Sequence, residues 1–170
     1  SFIEHMVDVL LASRLEEVVV VLGHQAELVR PRLNGRPVRL VDNPDYAEGM
    51  GSSLKAGLRE VSPRAQGVMV CLTDQPLLEP AEVDRLIEAF HGAGERDIVV
   101  PHHQGRRGNP ILFSARYREE VLQTRGPIAG CRGIVQRYPQ AILALEMETD
   151  HILRDIDTPE DYHALLQLGA

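Results

Sequence analysis

Between residues 2 and 13, Phe2, Ile3, Met6, Val7, Leu10 and Leu11 recur at three- and four-residue spacing, which lays them along one stripe of a packed helix. The run EEVVVVLG that follows is continuously apolar and β-branched, the pattern of a strand buried on both faces, as in parallel sheets. A short helical segment near 25–33 leads to a second strand, PVRLV. A helix follows from about Ser53 to Val61 with Leu54, Leu58 and Val61 inward. GVMVCLTD predicts another buried strand, ending at Asp74. A helix from Pro80 to Phe90 turns Val83, Leu86, Ile87 and Phe90 to the core and is stopped by Gly92 and Gly94. After the strand DIVVP, the stretch HHQGRRGNPILF joins two apolar runs through a polar, glycine-rich turn and predicts a hairpin-like excursion. Helices over roughly 115–124 and 128–138 come next, with Pro127 suited to the first turn of the second. The strand AILALEM follows, and then a helix with Thr158 as N-cap and Pro159 as first helical residue. With no internal repeat and no linker, the pattern predicts one α/β domain over residues 1–170, a mostly parallel sheet with one irregular insertion.

Composition narrows the class of partner. A net charge of −7 and the absence of a lysine- and arginine-rich run exclude long nucleic acid and an anionic membrane surface as expected partners. Any anion bound here needs a local device. Cys71 and Cys131 show neither CxxC spacing nor a disulfide framework, which favours a reducing, cytoplasmic setting. No run reaches the roughly 18 apolar residues that cross a bilayer, and no charged leader is visible, so a soluble protein is expected.

Three stretches carry candidate chemistry. In NPDYAEGMGSSLKAGL, Gly49 and Gly51 permit backbone angles closed to other residues, and Ser52 and Ser53 could cap the helix or donate hydroxyls to a ligand. The same letters also describe an ordinary capped helix after a tight turn, without the lysine of a P-loop. Asp74 closes a buried strand, on the side of an α/β sheet where ligands gather, or forms an Asx turn before Pro76. Asp155 and Asp157 precede the last helix, where two distant aspartates could share a hard cation such as magnesium, or simply complement a helix dipole. The adjacent His102 and His103 point to opposite sides of a strand and make a poor chelate. Arg106 and Arg107 fit a solvated turn, His24 a turn after a strand, and Cys71 an inert strand position.

Taken together, NPDYAEGMGSSLKAGL, CLTDQPLL, GRRGNPILF and DIDTPEDY resemble the MobA-like nucleotidyltransferases, in particular the molybdenum cofactor cytidylyltransferase branch. The resemblance runs from the first helix to the end of the chain. It implies a three-layer α/β/α, Rossmann-like fold of the nucleotide-diphospho-sugar transferase type. It further implies CTP as nucleotide, a molybdopterin-type acceptor, a molybdoenzyme as possible recipient, and Mg2+. Carried over motif by motif, Asn43, Gly49, Gly51, Ser52 and Ser53 become nucleotide contacts. Asp74 and Asp157 become the catalytic magnesium ligands, and Arg107, Gly108, Asn109 and Pro110 line the acceptor. Transfer of another base, a sugar-phosphate acceptor, or a module that only holds and delivers a cofactor are the alternatives. Two departures stand out. Relatives open with a strand and a loop of the type LAAGxSxRMG that holds the triphosphate, whereas this chain starts after that point, so a truncated chain lacking a central strand is expected. In RGPIAGCRGI, Pro127 stands where relatives often carry an acidic residue.

Overall fold

The computed structural model describes residues 1–125, 130–156 and 161. Pro127 and the helix start at Thr158 and Pro159 lie outside them. In chain order the elements are α1 (Phe2–Leu11), β1 (Val19–Leu22), α2 (Ala26–Val29), which runs into a 3-10 turn at Arg30–Leu33, β2 (Arg39–Asp42), α3 (Met50–Glu60) and β3 (Gly67–Val70). Then come α4 (Pro80–Gly92), β4 (Ile98–His103), β5 (Arg106–Arg107), β6 (Ile111–Ser114), α5 (Arg118–Gln123), α6 (Cys131–Arg137) and β7 (Ile142–Glu146).

The strands pair in two groups. β1 and β2 run parallel, from Val19 opposite Arg39 to Leu22 opposite Asp42. In the other group β4 is central: β7 lies parallel to it, while β6 and the short β5 run antiparallel along its successive halves, and β3 closes the far side of β6. β3, β4 and β7 therefore share one direction, and the reversed β5–β6 pair is the excursion expected from HHQGRRGNPILF. Its tip is a two-residue turn in which Gln104 (φ 50°) and Gly105 (φ 78°) both take positive φ, the twist that suits a tight hairpin. Among the described residues no ladder joins β1 to β3.

Side-chain alternation builds the three layers. Along β4, Ile98 and Val100 face Leu58, Tyr117, Val121 and Ile134 from α3, the turn before α5, α5 itself and α6, whereas Val99 faces Leu86 of α4. All three β4 residues are almost completely buried, whereas along β1, expected to be buried on both faces, Val20 and Leu22 are buried and Val19 and Val21 only half-buried. A further cluster spans both strand groups: Met6, Val7 and Leu10 of α1 and Val20 and Leu22 of β1 pack with Val83 of α4, Met147 and Ile152.

Two boundaries differ from the sequence reading. α3 begins at Met50 rather than Ser53, so Gly51, Ser52 and Ser53 belong to its first turn and only Gly49 remains in the loop. β3 stops at Val70 rather than running to Asp74. Its partner at that point is Ile111; the next hydrogen-bonded pair would be Leu72 with Asn109, and the Asn109 N–H is given to the Ile152 carbonyl instead. Cys71 thus lies just past the strand and Asp74 on the loop beyond it.

Phe113 is 0% exposed in the cluster that also holds Ile98, Val100 and Tyr117. Phe113→Ala is expected to cost about 3–5 kcal/mol of stability through lost burial and the cavity left behind. A denaturant midpoint within error of the parent would contradict that packing.

Candidate active site

Two backbone-rich assemblies form where strands end. The first joins the end of β2 to the start of α3. Asn43 is buried, and its N–H donates to the Leu22 carbonyl at 2.7 Å. Its side-chain amide donates to the hydroxyls of Ser52 at 2.9 Å and Ser53 at 3.0 Å, while its Oδ1 accepts from the Asp45 N–H at 3.1 Å. The Ser52 hydroxyl has a single hydrogen, shared between the carbonyls of Asp45 (2.9 Å) and Gly49 (2.8 Å). The serines therefore serve as a bracket inside the protein. The Ser52 N–H donates to the Gly49 carbonyl at 3.1 Å, so what α3 has to offer at the positive end of its dipole is the N–H groups ahead of it, at Met50 and Gly51. Gly49 enters this turn at φ 101°, a region closed to side-chain-bearing residues without strain. Beside the bracket the loop after β1 packs on Tyr46, whose ring lies 5.9 Å from that of His24.

The second assembly joins three distant motifs. The Asp74 carbonyl accepts from the N–H of Ile156 at 2.7 Å. Ile152 presents its carbonyl to two donors, the Gln75 side-chain amide at 3.0 Å and the Asn109 N–H at 3.1 Å. The same Gln75 nitrogen also donates to Asp155 Oδ1 at 2.9 Å. Gly108 lies against this carbonyl so closely that a Cβ would sit 2.4 Å from the Ile152 oxygen. TDQP, RGNP and the segment leading to DTPED thus meet at one point. His5 fixes the loop from behind, its Nε2 2.8 Å from the Pro76 carbonyl.

Of the residues singled out in the sequence, Asp74, Gly108 and Asn109 are brought together. Asn43, Gly49, Gly51, Ser52 and Ser53 form the separate bracket, and Asp157 lies outside the described residues. Pro110 is buried, and Arg107 is exposed on β5 opposite His102. Gln75 was missed by sequence reasoning, its only signal being a polar residue between an aspartate and a proline at a strand end. Lys55 lies in the second turn of α3. It donates to the Thr124 carbonyl and ties α3 to the end of α5. His102 and His103 hydrogen-bond the carbonyls of Val100 and Met147, consistent with strand-end residues.

Carboxylate oxygens are hard donors suited to Mg2+ or Mn2+, and the Asp74 side chain has the chemistry for such an ion. Among the described residues no group of three His, Cys, Asp or Glu side chains is arranged to hold a metal. Cys131 opens α6 near Arg107, whose guanidinium favours the thiolate, but burial dominates and pushes the thiol up to about 12. Burial, and then the charge of Cys131, push Cys71 up to about 12 as well. Both remain protonated thiols at neutral pH and are unsuited to nucleophilic catalysis. Gly130, which precedes Cys131, sits beside Leu54, so the start of α6 borders α3. Among the described residues no helix is long and apolar enough to cross a membrane.

A three-layer α/β/α sandwich with polar loops at strand ends is a fold that nucleotidyltransferases share with many other proteins. A crystal structure of Rv0371c from Mycobacterium tuberculosis superposes with a TM-score of 0.81 at 28% identity, covering 98% of this chain and 84% of that one. A second crystal structure of that protein, in complex with manganese, has a TM-score of 0.75 at 26% identity over 98% of this chain and 86% of the other. The chain belongs to the MobA-like NTP transferase domain family, whose model matches residues 1–142, and so is classed with the nucleotidyltransferases. It is similar to nicotine blue oxidoreductase of Paenarthrobacter nicotinovorans, 31% identical over 98% of this chain and 83% of the relative. It is also similar to the molybdenum cofactor cytidylyltransferase of Escherichia coli, 30% identical over 85% of this chain and 71% of the relative.

The raised thiol pKa values have a direct chemical consequence. At pH 8 alkylation of the half-buried Cys71 and Cys131 should be roughly a thousandfold slower in the folded protein than in urea, because a thiol whose pKa is raised to about 12 is hardly ionised there. Mass-spectrometric labelling with iodoacetamide measures this, and equal rates in the two states would contradict the burial.

Proposed function

We propose that this domain transfers CMP from CTP to the terminal phosphate of a molybdenum pterin cofactor, releasing pyrophosphate. An acceptor phosphate oxygen attacks the α-phosphorus, the new phosphoanhydride P–O bond forms, and the bond to the bridging oxygen of the pyrophosphate breaks. The observation that carries the reading is the Ile156-to-Asp74 hydrogen bond at 2.7 Å, which draws the segment before DTPED against the TDQP loop. That is the meeting a two-aspartate site of Asp74 and Asp157 needs. The similarity to the Escherichia coli cytidylyltransferase supports CTP and the pterin acceptor.

Each assembly then has a task. The first-turn N–H groups of α3, held open by Gly49 and by the Asn43 bracket with Ser52 and Ser53, receive phosphate oxygens of the nucleotide. The turn Arg107–Pro110 lines the acceptor side, with the exposed Arg107 guanidinium available to its phosphate. Asp74 and Asp157 would hold Mg2+, which when bound offsets the charge gathered on the phosphoryl oxygens, worth several kcal/mol. A helix end contributes about 0.3–2 kcal/mol, so loss of an aspartate should hurt more than loss of a serine.

A second reading, a domain that binds a cofactor without nucleotidyl transfer, is favoured by one observation. The relative at 31% identity is named as an oxidoreductase. Pyrophosphate release from CTP in the presence of the molybdenum cofactor separates the two, and its absence with every nucleoside triphosphate would overturn the transfer reading. Asp74→Asn should lower turnover by two to three orders of magnitude, about 3–4 kcal/mol of transition-state stabilisation. Near-normal turnover in magnesium would refute its role. Ser52→Ala should act on nucleotide affinity rather than on the chemical step, which a nucleotide titration of the variant checks.

A further inference from the structure

The segment from Thr149 to Ile156 is held at both ends. At its start, Glu82 of α4 accepts from the Thr149 hydroxyl at 2.5 Å and pairs with His151 Nδ1 at 3.1 Å. At its end stand Gln75 and the Asp74 carbonyl. Gln75 is only 2% exposed, and its Nε2 has two hydrogens, each directed at an acceptor: the Ile152 carbonyl and the Asp155 carboxylate. Two acceptors on one nitrogen settle the orientation of this amide, and a glutamate of the same shape would set a carboxylate against both. A backbone carbonyl that also receives the Asn109 N–H, with Gly108 leaving room for it, gives the segment one path.

We propose that Gln75 is a positioning residue: its buried amide sets the course of residues 152–156 past Asp74 and, through the shared Ile152 carbonyl, locks that course to the Gly108–Asn109 turn. The consequence for metal binding rests on the two-aspartate reading above, whereas the clasp itself does not. Gln75 does not touch the reacting groups. It acts through the segment that leads to Asp157, and residues that orient metal-binding carboxylates in this way change metal affinity by about 10–100-fold when lost.

The test compares the parent protein with Gln75→Met, which keeps the volume and removes both donors, and Asp155→Ala, which removes one acceptor at an exposed position and so spares the fold. Metal-free hydrogen exchange should accelerate by at least roughly tenfold over residues 152–156 in Gln75→Met, and to a smaller degree in Asp155→Ala, with β4 unchanged. Unchanged exchange over 152–156 in both variants, or acceleration spread evenly through β4 and β6, would overturn the proposal. Should Gln75→Met fail to fold, Asp155→Ala decides by the same readout. Mn2+ affinity, measured by electron paramagnetic resonance, should fall by about 10–100-fold in Gln75→Met. Parent-like Mn2+ affinity in that variant would overturn the consequence for the metal. Failure of the parent to bind Mn2+, or equal binding by Asp74→Asn, would sink the metal reading, and the exchange data would still decide the clasp.

Discussion

A carbonyl oxygen has two lone pairs, and at Ile152 both are taken by groups from other parts of the chain, the Gln75 amide and the Asn109 N–H. This crossing is what the candidate site depends on. Without it the turn before β6 loses its hydrogen bond to the segment after β7, and the loop after β3 keeps that segment only through the Ile156–Asp74 and Gln75–Asp155 bonds. With it they share one frame of reference. Net hydrogen-bond contributions of about 0.5–1.5 kcal/mol apiece are modest, but unsatisfied buried groups cost more, so the arrangement resists partial opening. Gly108 has to be glycine for the same reason, since a methyl group 2.4 Å from the Ile152 oxygen would push the segment away.

The bracket at α3 solves a different problem. On the function proposed above, a chain with a net charge of −7 has to supply positive potential locally to receive polyanions, and a helix start does so without a lysine. Its amides have to face outward while its side chains are kept from competing for them. Asn43 achieves this by occupying both serine hydroxyls, and Gly49 by admitting the chain at a φ that leaves the first turn uncovered. The glycine-serine stretch is therefore framework as much as contact surface.

The element pattern was legible because apolar periodicity reports burial: the Ile98–Val100 run of β4 is buried on both faces and the stripe on α1 lies in the core, although β1, expected to be buried on both faces, buries only Val20 and Leu22 fully. Boundaries were less legible where another strand decides them. β3 ends at Val70 where the Asn109 N–H, which would carry the ladder on, turns to the Ile152 carbonyl, and no reading of GVMVCLTD by itself contains that fact. The start of α3 was misplaced for a related reason. Glycine and serine have weak helix propensity, yet Asn43 from another element holds both serines in a helical turn. Asp74, Gly108 and Asn109 could be named from motifs, but their meeting could not be deduced from spacing. Gln75 was invisible because its function is a pair of hydrogen bonds to residues about half a chain away.

The same geometry bears on how relatives with different names can share this fold. The crossing at Ile152 and the bracket at Asn43 are made of backbone groups, amides and hydroxyls with fixed geometry, and most of these atoms face other parts of the protein. On the function proposed above, such contacts place a ligand-binding mouth without preferring one acceptor to another. Preference has to come from side chains that the scaffold leaves exposed at its edge, and Arg107 on β5, Tyr46 beside His24 and Met50 at the start of α3 are of that kind. Exchanging them alters charge and shape at the mouth with little cost to the fold, because surface substitutions usually stay within about 0.5 kcal/mol, whereas exchanging Gln75 or Gly108 disturbs the frame itself. Fold membership accordingly says more about how the site is held than about what it accepts.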